Sequence, residues 1–405
     1  MNNFDINKIR QDFPLFCNSN NPPVYFDNAC MTLKPEPVIK AVEEYYRQYP
    51  ACAGRSNHNL GEKVNQKIEE SRQIVGYFIN AKKPDKEIIF TRNATESINL
   101  VAKSFNFQKG DAVLISDKEH NSNLIPWQIL KKEKMIDLII APSQPDNTFN
   151  LEEFQQLLKP NVKIVSIVFV SNLDGVVNPV KEIIKISHQN NSLVLLDAAQ
   201  AIGHQKIDVK DLDCDFLAFS GHKMLGPTGT GVLYAKRNLL ESLRPFITGG
   251  GTLVDSTYEN CHFLSGPARF EAGLQDYAGI IGLEAAVKYL RNINWENIRA
   301  QEEKLNRIIS EGLKEIPEIK IIGPENYLKR GGIINFYHSK IPSHEIALLL
   351  DKTFNVMARS GRHCVHAWYN SRNIKDSVRA SLYFYNSEEE AEYFVESLKK
   401  IIKLV

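Results

Sequence analysis

The sequence predicts an α/β protein with a large domain on a mostly parallel seven-stranded sheet and a smaller C-terminal α+β domain. Two observations predict it. Seven short apolar runs lie between residues 87 and 235, separated by helical or polar stretches, which is the pattern of a parallel sheet covered on both faces. Beyond about residue 285, longer helical segments precede a second, sparser set of strands.

The elements follow in chain order. After a polar N-terminal arm, Pro35–Tyr49 and Leu60–Ile79 carry helical apolar spacing. The seven runs are Glu87–Thr91, Ala112–Ser116, Ile136–Ile140, Ile164–Phe169, Leu193–Asp197, Asp215–Phe219 and Gly231–Ala235. Helical spacing resumes at Ile281–Tyr289 and Ile298–Leu313. Strands are expected at Ile319–Ile322, Gly332–Phe336, Val356–Arg359 and Val378–Phe384, with a closing helix over Glu388–Ile402. The expected division is an arm over 1–20 that packs with the small domain, a large domain over 21–285 and a small domain over 286–405.

Composition excludes several classes. The 405 residues are 43% apolar and 24% charged, with 49 Lys and Arg against 48 Asp and Glu. A net charge of +1 leaves no clustered basic footprint for nucleic acid. No apolar stretch is long enough to span a bilayer, and Met1–Lys8 has no apolar signal core, so the expectation is a cytoplasmic protein. The six cysteines show no paired spacing, so neither a disulfide framework nor a metal site is expected.

Ligands of open α/β sheets bind beyond the carboxyl ends of the strands, and there the sequence places chemistry. One run ends in Asp197-Ala-Ala-Gln200, the next in Ser220-Gly-His-Lys223, and the first in Thr91-Arg-Asn-Ala-Thr95 leading into a helix. Lys223 sits in a Gly-rich turn that runs to Gly231, where backbone can approach a ligand closely. A lysine amine, an acid and neutral donors at a helix N-terminus are what pyridoxal 5'-phosphate needs. Asp197 would face the ring nitrogen, Gln200 the phenolic oxygen, and Thr95, Ser220 and His222 the phosphate. Taken alone, Lys223 reads as an exposed loop lysine, the fate of most lysines.

These residues resemble a known family. Ser220–Lys223 with Gly226-Pro-Thr-Gly229, Asp197–Gln200, Asp117-Lys-Glu-His120 with Asn123, Arg269–Gly273 and Arg359-Ser-Gly-Arg-His-Cys364 look like the class V pyridoxal-phosphate enzymes of fold type I. The match is to SUF-type cysteine desulfurases and selenocysteine lyases, from about Phe13 to the C-terminus. The resemblance implies removal of sulfur from L-cysteine to give L-alanine and an enzyme-bound persulfide. That sulfur would pass to an acceptor protein, as in iron–sulfur cluster assembly. It also implies a homodimer. His120 would stack on the cofactor ring, Asn172 would sit beside its phenolic oxygen, Arg379 and Arg359 would face the substrate carboxylate, and Cys364 would be the sulfur-accepting nucleophile.

The chain also departs from the pattern. Ala94 replaces one phosphate-binding Thr among the cofactor-contacting positions, Asn121 replaces the second residue of a His pair, and Arg362 stands where His is usual. Leu274 stands where a Thr normally reaches the phosphate in the other subunit. Cys30, with Met31, replaces small residues near the substrate, and Cys52 adds a thiol to a second entrance segment. The alternatives are another class V reaction (selenocysteine or cysteine-sulfinate lyase, β-elimination or transamination) with Cys364 idle, or a pyridoxal-phosphate-binding regulatory protein without turnover.

Overall fold

The computed structural model describes residues 4–404. After β1 (Val24–Tyr25) come seven strands: β2 (Ile88–Thr91), β3 (Ala112–Ser116), β4 (Asp137–Ala141), β5 (Val162–Val168), β6 (Leu193–Asp197), β7 (Phe216–Ser220) and β8 (Gly231–Ala235). They form one sheet in the order β2-β8-β7-β6-β5-β3-β4. The pairs from β7 through β6, β5 and β3 to β4 are parallel, and β8 runs antiparallel between β7 and β2. β3, β7 and β8 are buried throughout and β6 nearly so, as strands covered on both faces must be. Two apolar clusters, one on each face, make that cover.

β9 (Leu253–Ser256) and β10 (Cys261–Phe263) form an exposed hairpin that the sequence pattern did not mark, because it has no buried face to leave an alternation. A second sheet contains β11 (Ile319–Ile322) and β12 (Ile333–His338). β13 (Val356–Met357) leaves that sheet to pair in parallel with β1, and β14 (Arg359–Gly361) and β15 (Ser377–Ser381) complete it in the order β11-β12-β15-β14. The expected strand Val356–Arg359 is therefore two strands in different sheets, separated by Ala358. The expected run Val378–Phe384 ends early at Ser381, because Leu382, Tyr383 and Phe384 turn into the core and Tyr383 N–H bonds to Asn386 Oδ1 at 2.9 Å.

The N-terminal arm ties the two sheets together. Phe13 packs against Tyr289, Phe384 and Tyr385. Arg10 pairs with Glu390 at 2.8 Å and donates to the Tyr385 carbonyl.

Two loops at the carboxyl edge of the large sheet are joined by buried charge. Lys118, after β3, donates to both carboxylate oxygens of Asp174, after β5, at 3.0 and 3.3 Å and to the Asn147 carbonyl. Their side chains are 1% and 0% exposed. Next to Lys118, Glu119 accepts from Ser116 Oγ, Asn123 Nδ2 and the Val168 N–H, so the ends of β3 and β5 share one carboxylate. Burial pushes that carboxyl up to about 7.

A buried ion pair costs most when only one partner is removed. Lys118→Met is expected to lower stability by about 3–5 kcal/mol, read from the urea midpoint. Lys118→Met combined with Asp174→Leu should recover much of that loss. An unchanged midpoint in the single variant would show that the pair does not hold these loops.

Candidate active site

The carboxyl ends of β5, β6 and β7 open into a cavity of about 230 Å³. Every residue that the sequence nominated as catalytic, cofactor-binding or substrate-binding lines it: Lys223, Cys364, His120, Asp197, Gln200, Thr95, Ala94, Asn172, Ser220, His222, Arg379 and Arg359. Ala29, Cys30, Asn93, Ser122 and His363 lie in its wall as well. Cys52 is not part of this wall. Leu274 is 64% exposed and lines a different cleft.

Lys223 ends a short 3-10 turn, Gly221–Lys223, that leaves β7. Gly221 is required there, because a Cβ would lie 2.2 Å from Thr230 Oγ1. Thr32 clamps the turn: its N–H and hydroxyl both reach the His222 carbonyl, and its Oγ1 accepts from the Leu225 N–H at 2.8 Å. The Lys223 amine has no hydrogen bond or ion pair among the described residues. Burial lowers its pKa below the usual lysine value of 10.5, while Asp197 opposes that shift.

Asp197 closes β6, 3% exposed, and its Oδ1 accepts the Ala199 N–H at 3.0 Å. Burial raises its pKa above the ordinary carboxylate value. β6 and β7 are adjacent and parallel, so the acid and the amine emerge on the same edge.

The helix Ala94–Ser104 points its N-terminus into the cavity, with Asn93 Oδ1 capping it through the Glu96 N–H at 3.0 Å. Gly231 permits this placement, since a Cβ on β8 would stand 2.4 Å from Asn93 Cα. Ser220 Oγ accepts the Ala94 N–H at 2.9 Å, and Thr95 and Ser122 share a hydroxyl contact at 2.7 Å. The Ala94 N–H is thus held within the protein by Ser220, and the Ala94 side chain lines the cavity without a hydroxyl.

His120 caps the helix Asn121–Lys132, its Nδ1 accepting the Ser122 N–H at 3.1 Å. Burial, helped by the charges of Lys223, Arg379 and Arg359, pushes its pKa down to about 3. The same cause, with Lys223 and Lys34, pushes His222 down to about 4. Both imidazoles are thereby kept neutral.

Cys364 sits on a strained turn between β14 and β15. His363 and Cys364 are consecutive non-glycine residues with φ of 49° and 59°, each costing about 1–3 kcal/mol. Hydrogen bonds over-determine the conformation: Asn172 Nδ2 donates to the His363 carbonyl at 2.7 Å and Asn121 N–H to the Cys364 carbonyl at 2.7 Å. Asn172 therefore holds the cysteine turn, with its Oδ1 still unpartnered in the cavity wall. The sequence marked Asn172 for a cofactor contact and gave no hint of this clamp. His363, expected from the sequence to help lower the pKa of the adjacent Cys364, is buried and bonds Ser377 Oγ through Nε2 at 3.0 Å. Burial and the two arginines push its pKa down to about 2.

Arg379, on β15 and 3% exposed, donates to the Asn172 carbonyl at 2.9 Å and stands 3.6 Å from Asp27, leaving its Nε unpartnered. Opposite it in the sheet register, Arg359 turns its Nη1 to Cys30 Sγ at 2.6 Å. Asp27 was not singled out from the sequence as a site residue. Its signal was its place in Asp27–Thr32, beside the segment carrying Cys30.

With the fold and the cavity defined, the class of protein follows. The chain belongs to the aminotransferase class-V family, whose model matches residues 24–394. A Pyrococcus abyssi protein described as a "probable cysteine desulfurase" is 40% identical over 398 residues, covering 98% of this chain and 97% of its own. An Escherichia coli cysteine desulfurase is 38% identical over 409 residues, 99% of each chain. Among solved structures, the apo cysteine desulfurase of Thermococcus onnurineus NA1 is 38% identical and matches with a TM-score of 0.93 over 98% of both chains. Within its family, the chain is thus of the cysteine desulfurase kind.

The histidine values carry a sign. The unfolded value is 6.5 and the folded value of His120 is lower, so below pH 6.5 the unfolded chain binds a proton that the folded chain does not. His120 therefore weakens the fold as pH falls and has no such effect above that value. In NMR spectra its imidazole should show no titration between about pH 5 and 8. A midpoint near 6.5 would contradict the burial account.

Proposed function

We propose that this chain is a pyridoxal-phosphate-dependent cysteine desulfurase in which Cys364 accepts the sulfur of L-cysteine. The observation that carries the reading is one cavity holding an unpaired buried lysine, a buried carboxylate, a helix N-terminus, two arginines and a thiol on a strained turn.

The residues present fit the cofactor. The Lys223 amine is unpaired, one oxygen of Asp197 is without a hydrogen-bond partner, and the helix at Ala94 with Thr95, Ser122, Ser220 and His222 offers neutral donors of the kind that hold phosphate. When bound, pyridoxal phosphate supplies a sink for the electron pair released at the substrate Cα.

The chain's own residues do the rest. Asp197 would hold positive charge at the ring nitrogen, and neutral His120 would cover one ring face and exclude water. Gln200 keeps its Nε2 on the Ala29 carbonyl at 2.7 Å, and the other proton of that amide would be available to the phenolic oxygen. Arg379 and Arg359 orient the substrate carboxylate. Lowered by burial, Lys223 Nζ moves the proton at the substrate Cα. Cys364 Sγ bonds to the substrate sulfur as the Cβ–S bond breaks. L-Cysteine and the Cys364 thiol thereby become L-alanine and a Cys364 persulfide.

The wider assignment belongs to the same proposal. The arm (1–20), the cofactor domain (21–285) and the small domain (286–405) are the working units. Exposed Ile247, Val254, Tyr258 and Leu274 near the β9–β10 hairpin offer an apolar face to a second copy, which supports a homodimer. At Leu274 that copy meets an apolar side chain instead of a threonine hydroxyl. Six free cysteines suit the reducing cytoplasm. No helix among the described residues is long and apolar enough to cross a membrane. The persulfide sulfur goes to an acceptor protein, with iron–sulfur cluster assembly as the fitting destination.

Two variants test this reading. Lys223→Ala should lose the visible absorbance of the lysine-bound cofactor and lower alanine formation by at least about 10²–10⁴-fold, the usual worth of a positioned acid–base group. Cys364→Ala should keep that absorbance yet form no persulfide. Borohydride labelling of a different lysine would overturn the site assignment.

A further inference from the structure

The cavity holds a second thiol. Cys30 shares its wall with Cys364 and Lys223, half-buried, on a turn in which the Cys30 and Met31 N–H groups both bond the Asp27 carbonyl at 3.0 and 3.2 Å. Arg359 Nη1 donates to Cys30 Sγ at 2.6 Å and stands 3.9 Å from Asp27 Oδ2. Reactive cysteines occupy such electropositive, part-exposed surroundings. Cys214, by contrast, is wholly buried in apolar surroundings that push its thiol far up, as suits a packing residue.

Three further observations point the same way. Arg359 lines the same cavity as both thiols, and its charge is opposed by burial and sustained by Cys30, Asp27 and Cys364. Arg379 Nε and Asn172 Oδ1, on cavity-lining side chains 3% and 4% exposed, remain without a hydrogen-bond partner, so the wall that carries both thiols also carries unsatisfied polar groups. Among the described residues no group of three His, Cys, Asp or Glu side chains suited to a metal occurs, and sulfur transfer is a use for two thiols that needs no such group.

We propose that Cys30 is a second sulfur acceptor that takes the outer sulfur of the Cys364 persulfide. The proposal rests on the desulfurase reading and extends it. Cys30 Sγ attacks the outer sulfur, the new Cys30 S–S bond forms, and the Cys364 S–S bond breaks. The outer sulfur keeps its hydrogen, and the proton lost by the Cys30 thiol goes to the departing Cys364 sulfur. Cys30 is oxidised to the persulfide level as Cys364 is reduced to the thiol, so no outside oxidant is needed. Arg359 stabilises the attacking sulfur, and Cys364 becomes free for a second substrate before any acceptor arrives.

The test uses the full-length, cofactor-loaded enzyme with L-cysteine, no reductant, an iodoacetamide quench and peptide mass mapping. The parent should release about two alanines per protomer in the burst, one for each thiol that stores sulfur, with added sulfur on both the Cys30 and Cys364 peptides. Cys30→Ser should release about one, with added sulfur on Cys364 alone. Cys364→Ala should leave Cys30 unlabelled, because its sulfur comes from Cys364. Added sulfur confined to Cys364 in the parent, or persisting on Cys30 in Cys364→Ala, would overturn the relay while leaving the desulfurase reading intact. A parent that forms neither alanine nor persulfide would overturn both.

Discussion

Two charged groups, Asp197 and Lys223, are buried at the ends of adjacent parallel strands without pairing to each other, and the rest of the site depends on that arrangement. Burying charge without a partner is costly. The protein sustains it by rigid surroundings: Thr32 locks the lysine turn, and the Ala199 N–H holds the carboxylate. The neighbouring histidines are kept neutral by the same burial, so they add donors and a flat ring without adding charge. What remains is a cavity with Lys223, Arg359 and Arg379 facing Asp197 and Asp27. An anionic phosphate and a substrate carboxylate would relieve the imbalance, and a protonated ring nitrogen would relieve Asp197.

The second sheet enters the same account through the cysteine turn. β14 and β15 bring Arg359, Arg379 and Cys364 over the edge of the large sheet. Contacts from the large-sheet loops, Asn172 to His363 and Asn121 to Cys364, hold the two left-handed residues in place. Those loops are in turn tied by Lys118 and Asp174. The thiol is thus presented by hydrogen bonds from elements far apart in sequence, so its conformation reports the docking of the two sheets. A short ordered turn also shields the sulfur from bulk water, and transfer then depends on what the cavity itself offers.

Much of this was legible in the sequence because buried parallel strands leave unbroken apolar runs. β3 and β8 were read to the residue, and β4 and β7 differ from their expected runs by one position at each end. Asp197 stood out because it ends such a run, and Lys223 because it lies in the Gly-rich turn just beyond one. The β9–β10 hairpin was invisible because its residues are exposed and irregular in register, and β13 and β14 merged because one intervening residue cannot show that strands belong to different sheets. Asn172 as a clamp, the Lys118–Asp174 pair and the Arg359–Cys30 contact were also illegible. They join residues 191, 56 and 329 positions apart, and no local pattern encodes such distances. Cys52, in a segment of entrance-like composition, does not line the cavity that Cys30 shares with Cys364.

The measurement that bears most directly on the central claim is the identity of the carbon product. The purified, cofactor-loaded protein, incubated with L-cysteine and then reduced, should yield alanine and sulfide in equal amounts, because Cys364 takes the sulfur and the three-carbon skeleton keeps its amino group. Pyruvate and ammonia in place of alanine would mean that sulfur leaves by β-elimination without a protein acceptor, and would contradict the account.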